Sequence, residues 1–174
     1  MPRPLLSQSG PVVDETPKLA ANAPDSVANG VLRFFDSDSF AALRRLGEIL
    51  VPVGRGTPGA IEAEAAEFLD FLIGQSPADR QNLYRDGVAH LNQEARSRYG
   101  KLFGELSAAD ADPILAPLRE AWTYQGPADP FANFLRAAKS DFIEATVNSR
   151  QWAAAGSGRS RGASGLNTYW FTIE

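Results

Sequence analysis

Residues 51–70 read VPVGRGTPGAIEAEAAEFLD, and this stretch holds a helix stop, a turn and a fresh helix start. Pro52 ends what comes before it, since proline has no N–H to donate and crowds the preceding turn. Gly54 and Gly56 permit backbone angles closed to other residues. Thr57 is placed to cap a new helix with Pro58 at its first position. Glu62, Glu64 and Glu67 then fall in the early turns, where the helix dipole favours negative charge. Ile61, Ala65, Phe68, Leu69 and Leu72 share one face. The pattern predicts a helix over roughly 58–73, with Gly74 as a left-handed cap.

Upstream, VLRFF at 31–35 leads to Asp36 or Ser37 as the cap of a helix over 38–50. Phe40, Leu43, Leu46, Ile49 and Leu50 form its stripe. Downstream, Ser76-Pro77-Ala78-Asp79 starts a helix running to about 92, with Leu83, Tyr84, Val88 and Leu91 inward. A shorter helix over 92–106 follows, with Tyr99, Phe103 and Leu106 inward and a weak point at Gly100. The basic run Arg96, Arg98 and Lys101 reads as a solvated face. Ser107-x-x-Asp110 opens a further helix, which Pro113 and Pro117 must shorten or kink. Ile114, Leu115, Leu118 and Trp122 give its face. Asp129-Pro130 starts a helix over 130–148 with Phe131, Phe134, Leu135, Ala138, Phe142 and Ile143 along one side.

The expected fold is all-α, a compact bundle of about five to six helices over residues 31–148. Residues 1–30 lack periodicity and read as a disordered or partner-wrapping arm. Residues 149–174 read as a Gly/Ser-rich linker followed by an aromatic tail, LNTYWFTIE at 166–174. A tail this apolar either folds back on the domain or docks on another chain.

The bulk composition removes several function classes. A chain of 174 residues can bury a sizeable core. A net charge of −4 gives no basic field for nucleic acid. The absence of cysteine excludes disulfides, thiolate catalysis and Cys-ligated clusters. The single histidine, His90, cannot supply a ferritin-like di-metal site, which takes two. No apolar run is long enough for a membrane-spanning helix. The first residues do not read as a secretory signal, so the chain by itself reads as cytoplasmic.

Catalytic motifs are equally scarce. Gly54-Arg55-Gly56-Thr57-Pro58-Gly59 superficially looks like a phosphate loop. It lacks the lysine, follows a helix, and places Pro58 where phosphate needs an N–H. No Ser/His/Asp set has supporting context. Glu62, Glu64, Glu67 and Asp70 read as a solvated helix face. His90 lies one position off its stripe, and Asp86 is its only close partner by helical spacing. An enzyme built on His90 with Asp86 or Tyr84 is therefore a weak alternative.

Several segments in order resemble the gluconate 2-dehydrogenase subunit 3 family. They are the Val51-Pro52 loop, Thr57-Pro58-Gly59-Ala60-Ile61-Glu62-Ala63 and the acidic, apolar helix ending Phe68-Leu69-Asp70. Arg80 to Gly87 with Leu91-Asn92, Arg98 to Phe103, Leu106-Ser107 with Ile114-Leu115, and Phe131 with Phe134-Leu135-Arg136 continue the likeness. The likeness covers about 35–150.

This resemblance implies a small, all-helical, non-catalytic subunit. Its partner would be a large flavin-dependent dehydrogenase of the glucose–methanol–choline type, often with a cytochrome c subunit. FAD would belong to that partner, with no cofactor in this chain. The small subunit would help the large one mature, be exported or stay stable. Family members commonly carry a twin-arginine export leader, which implies the periplasmic side of the inner membrane. No catalytic, cofactor-binding or metal residue carries over. The candidate partner contacts are Pro52, Thr57, Pro58 and Gly59 in the loop, with Trp152, Tyr169, Trp170 and Phe171 near the end. The alternative is a free-standing helical scaffold or regulatory protein.

Overall fold

In the computed structural model, residues 34–121, 123–124 and 126–157 are described. They form six α-helices: α1 Ser37–Leu50, α2 Ala65–Gly74, α3 Ala78–Tyr99, α4 Ala108–Ala111, α5 Pro130–Val147 and α6 Arg150–Ser157. Two 3-10 turns, Phe103–Glu105 and Ala116–Arg119, lie between α3 and α5. Among the described residues there is no strand beyond an isolated bridge between Gly54 and Thr57. The all-α bundle expected from the sequence is the fold. The arm at 1–30 and the tail at 166–174 lie outside the described residues.

Capping chemistry sets the helix starts. The Asp36 carboxylate accepts from the Ser39 N–H at 2.7 Å and opens α1. That backbone donor, followed by the Ser39 hydroxyl, holds the Asp36 carboxyl below the usual range. Ser107 Oγ accepts from the Asp110 N–H at 3.1 Å and opens α4. The Asp129 carboxylate accepts from the Ala132 N–H at 2.7 Å and opens α5, with Pro130 at its first position. The prolines at 113 and 117 act as expected: α4 stops after four residues and gives way to a 3-10 turn.

Helix α5 is the centre of the bundle. Phe134, Leu135, Ala138 and Phe142 are buried along its inner face. Two glycines on neighbouring helices receive its rings. A Cβ at Gly87 on α3 would lie 2.0 Å from Phe134 Cγ. A Cβ at Gly47 on α1 would lie 2.4 Å from Phe142 Cε1. These positions accept only hydrogen, and the helices approach more closely because of it. Tyr84 meets Phe134 edge-on, with centroids 5.4 Å apart.

The region around residue 64 departs from the expected helix at 58–73. Thr57 does not cap a helix; its carbonyl accepts from the Gly54 N–H at 3.1 Å across a tight turn. A single helical turn follows at 60–63, tied to the end of α1 by the Ala60 N–H on the Val51 carbonyl at 2.8 Å. Glu62 closes that turn by accepting from the Gly59 N–H at 3.0 Å. The turn then stops in a Schellman motif. Ala65 N–H donates to the Ala60 carbonyl at 3.0 Å, and Glu64 N–H to the Ile61 carbonyl at 3.1 Å. Glu64 stands at φ 54, the only non-glycine with positive φ among the described residues. Helix α2 begins immediately after it. The first turn is tied to α1, whereas α2 packs on α5, and one left-handed residue joins them.

Three further boundaries differ from expectation. Gly74 is the last residue of α2 and has no left-handed backbone; Gln75 ends the helix. Helix α3 does not stop near 92 but runs unbroken to Tyr99, where Gly100 at φ 67 ends it. Asn92 is therefore inside a helix, buried, with Oδ1 accepting from the Phe103 N–H at 3.1 Å. The segment after 149 begins as helix α6, which its Ala-rich run favours.

Candidate functional site

Helices α2 and α5 flank a gap on one side of the bundle, and the first turn of α6 stands at one end of it. The result is an open groove of about 680 Å³. Phe68, Phe71, Leu72 and Ala145 give it an apolar floor. Phe68 is 49% exposed, unusual for a phenylalanine on a core helix. Carboxylates stand at the lips: Glu64 just before α2, Glu67 in its first turn and Glu144 on α5. Glu67 also reaches Arg44 of α1 at 3.8 Å.

A polar cluster closes the other side of the groove. Arg80 Nη2 on α3 donates to Asp141 Oδ2 on α5 at 2.8 Å. The buried Tyr84 hydroxyl donates to the same oxygen in a short hydrogen bond. Burial raises the Tyr84 phenol well above its usual range, and the neighbouring Asp141 charge adds to the rise. A phenol held neutral in this way is a structural donor, not a base. Arg80 Nε is buried with no hydrogen-bond partner. The cluster locks α3 to α5 and leaves Asp141 committed to two donors.

The residues singled out from the sequence fall in several places. Pro52 is exposed, and Thr57 and Pro58 are half-buried. Gly59 is buried: a Cβ there would lie 2.7 Å from the Val51 carbonyl oxygen and 2.7 Å from the Val53 nitrogen. Its contribution is to the packing of the loop. Trp152 is half-buried on α6, with its N–H on Ser149 Oγ at 3.1 Å. Neither Trp152 nor the loop at 52–59 lines the groove. Tyr169, Trp170 and Phe171 lie outside the described residues.

His90 is half-buried, its ring 4.1 Å from that of Phe131. No hydrogen bond joins it to Asp86, which is exposed, and Tyr84 is engaged by Asp141. Among the described residues, no group of three or more His, Cys, Asp or Glu side chains is arranged to hold a metal ion. None of the described helices is long and apolar enough to cross a membrane.

The reading of Asp70 as part of a solvated acidic face is wrong. Asp70 is 3% exposed, and its Oδ1 accepts from the Phe34 N–H at 3.0 Å and the Phe35 N–H at 2.9 Å. It ties the chain ahead of α1 to the middle of α2. A signal was present: Asp70 sits between Leu69 and Phe71, within the run FLDFLIG. Asp141 gave no such signal, because its partner Tyr84 is 57 residues away.

The family model described as gluconate 2-dehydrogenase subunit 3 matches residues 37–155, from the start of α1 into α6. The chain belongs to the gluconate 2-dehydrogenase subunit 3 family. Neither the curated proteins nor the solved structures yield a match. Membership in the subunit 3 family implies a subunit of a dehydrogenase complex. The matched span contains the bundle, the groove and the Tyr84–Asp141–Arg80 cluster, so these features lie within the family domain.

Proposed function

We propose that this chain is a non-catalytic small subunit that binds a large FAD-dependent sugar or alcohol dehydrogenase of the glucose–methanol–choline type and stabilises or matures it. The flavin belongs to the large subunit, and a cytochrome c subunit is a natural third member of such a complex. The observation that carries this reading is the family match over residues 37–155.

The chemistry of the chain supports it. A sequence with no cysteine and one histidine offers little for redox work of its own. That histidine lies tilted against a phenylalanine ring, and the most strongly perturbed phenol is held as a buried donor. The surface, in contrast, presents apolar side chains for contact: Val53 beside Pro52, and Ile143 and Val147 one turn apart on α5.

The test is affinity capture of the tagged chain from its native host. A large flavoprotein with flavin absorbance is expected to co-purify, and the isolated chain is expected to have neither flavin nor dehydrogenase activity. Recovery of the chain with no flavoprotein would overturn the proposal.

A further inference from the structure

The groove between α2 and α5 ends at Ser149 and Arg150, the opening of α6. The chain continues from α6 as GRSRGASG at 158–165 and LNTYWFTIE at 166–174. The two segments match the groove in order. The first carries Arg159 and Arg161, opposite in sign to Glu64, Glu67 and Glu144 at the lips. The second carries Tyr169, Trp170, Phe171 and Ile173, suited to the apolar floor around Phe68 and Leu72.

We propose that residues 166–173 fold back into this groove and cover Phe68, with Arg159 and Arg161 against its acidic lips. Reach permits it. The eight residues of α6 carry the chain about 12 Å from the groove's end. The eight residues 158–165, extended, span about 26 Å, enough to return. The sequence of the tail favours an extended strand-like segment. Alternation then places Tyr169, Phe171 and Ile173 on one side, a continuous apolar edge for the groove. The groove's 680 Å³ lies within the roughly 300–1,000 Å³ of pockets that enclose a small ligand, so it takes a few of these side chains. The half-exposed Phe68 is thereby withdrawn from water.

The absence of native cysteine makes the test clean. In the full chain, Ala145→Cys on the groove floor is paired with Asn167→Cys, which shares the side of Tyr169 and Phe171 and leaves every aromatic residue in place. The control pairs Asn167→Cys with Tyr124→Cys, a fully exposed position in the loop ahead of α5. Under mild oxidation at low concentration, the groove pair is expected to close an intramolecular disulfide at least tenfold faster than the control. Adding Phe68→Glu, a change at a half-exposed site, is expected to bring the groove pair down to the control rate. Equal rates for the two pairs, disulfides formed between chains, or indifference to Phe68→Glu would each overturn the proposal. If Ala145→Cys disturbs folding by circular dichroism, Asn148→Cys, exposed at the groove's end, takes its place with the same outcomes. The measurement uses the free chain, so its failure leaves the subunit assignment standing.

Discussion

The ring of Phe134 on α5 stands against Gly87 on α3 so closely that a Cβ at residue 87 would fall 2.0 Å from Cγ. The clash is with the root of the ring, which cannot swing away without moving α5. Gly87→Ala is therefore expected to lose stability by about 1–3 kcal/mol through overpacking, despite alanine's better helix propensity. Gly156→Ala on α6 meets nothing within 4 Å and is the matched control, expected to be neutral or slightly stabilising. Denaturant melts of the two variants check this; equal midpoints would refute the close packing.

Asp70→Ala is expected to cost about 2–4 kcal/mol, because it strands the Phe34 and Phe35 N–H groups. Asp70→Asn keeps an acceptor oxygen and is expected to cost less. Chemical denaturation ranks the two, and a surface-like effect for Asp70→Ala would contradict the buried tie.

Tyr84→Phe removes the hydroxyl shared with Asp141 and is expected to cost about 1–3 kcal/mol at neutral pH. It also carries a pH signature. The folded protein holds the Tyr84 proton above the ordinary phenol value of 10.0, while the unfolded chain releases it there. The unfolded state then binds fewer protons, so stability falls as pH rises past that value, by about 1.4 kcal/mol per pH unit for one proton. Below it, the contribution is fully present. In Tyr84→Phe this alkaline slope is expected to flatten. Stability measured across the alkaline range decides it, and parallel slopes in the two proteins would count against it.

Glu64 occupies a backbone conformation that glycine adopts without penalty. Glu64→Gly is expected to be neutral or to stabilise by about 1 kcal/mol, whereas Glu64→Val is expected to destabilise. Thermal melts of the pair test the Schellman break; the reverse order would remove it.

Much of the fold was legible because its punctuation is local. Asp36 before α1, Ser107 before α4 and Asp129-Pro130 before α5 each announce a helix within four residues. The break at Glu64 was not legible, since EAEAAE has uniform helix propensity and the residue that stops it is not a glycine. Residues 92–106 read as a separate helix, yet α3 runs through Asn92, whose polar side chain is held by the Phe103 N–H. The groove was not legible: the sequence puts Phe68 on the apolar stripe with Leu69 and Leu72, whereas it is half-exposed beside Glu64 and Glu67. The Tyr84–Asp141–Arg80 cluster was out of reach, since no periodicity links positions so far apart.

The lodging of Phe134 and Phe142 against Gly87 and Gly47 also fixes an order of events during synthesis. A ribosome makes α1, α2 and α3 long before it makes the rings that fill the space between them. Until Phe142 has emerged, the earlier helices face one another across an unfilled seam. A chain stopped at Asp129 is expected to keep helical circular dichroism but lack the near-ultraviolet signal of fixed aromatic packing. The bundle is thus completed from its C-terminal side, and an unfinished chain presents its core to whatever is nearby.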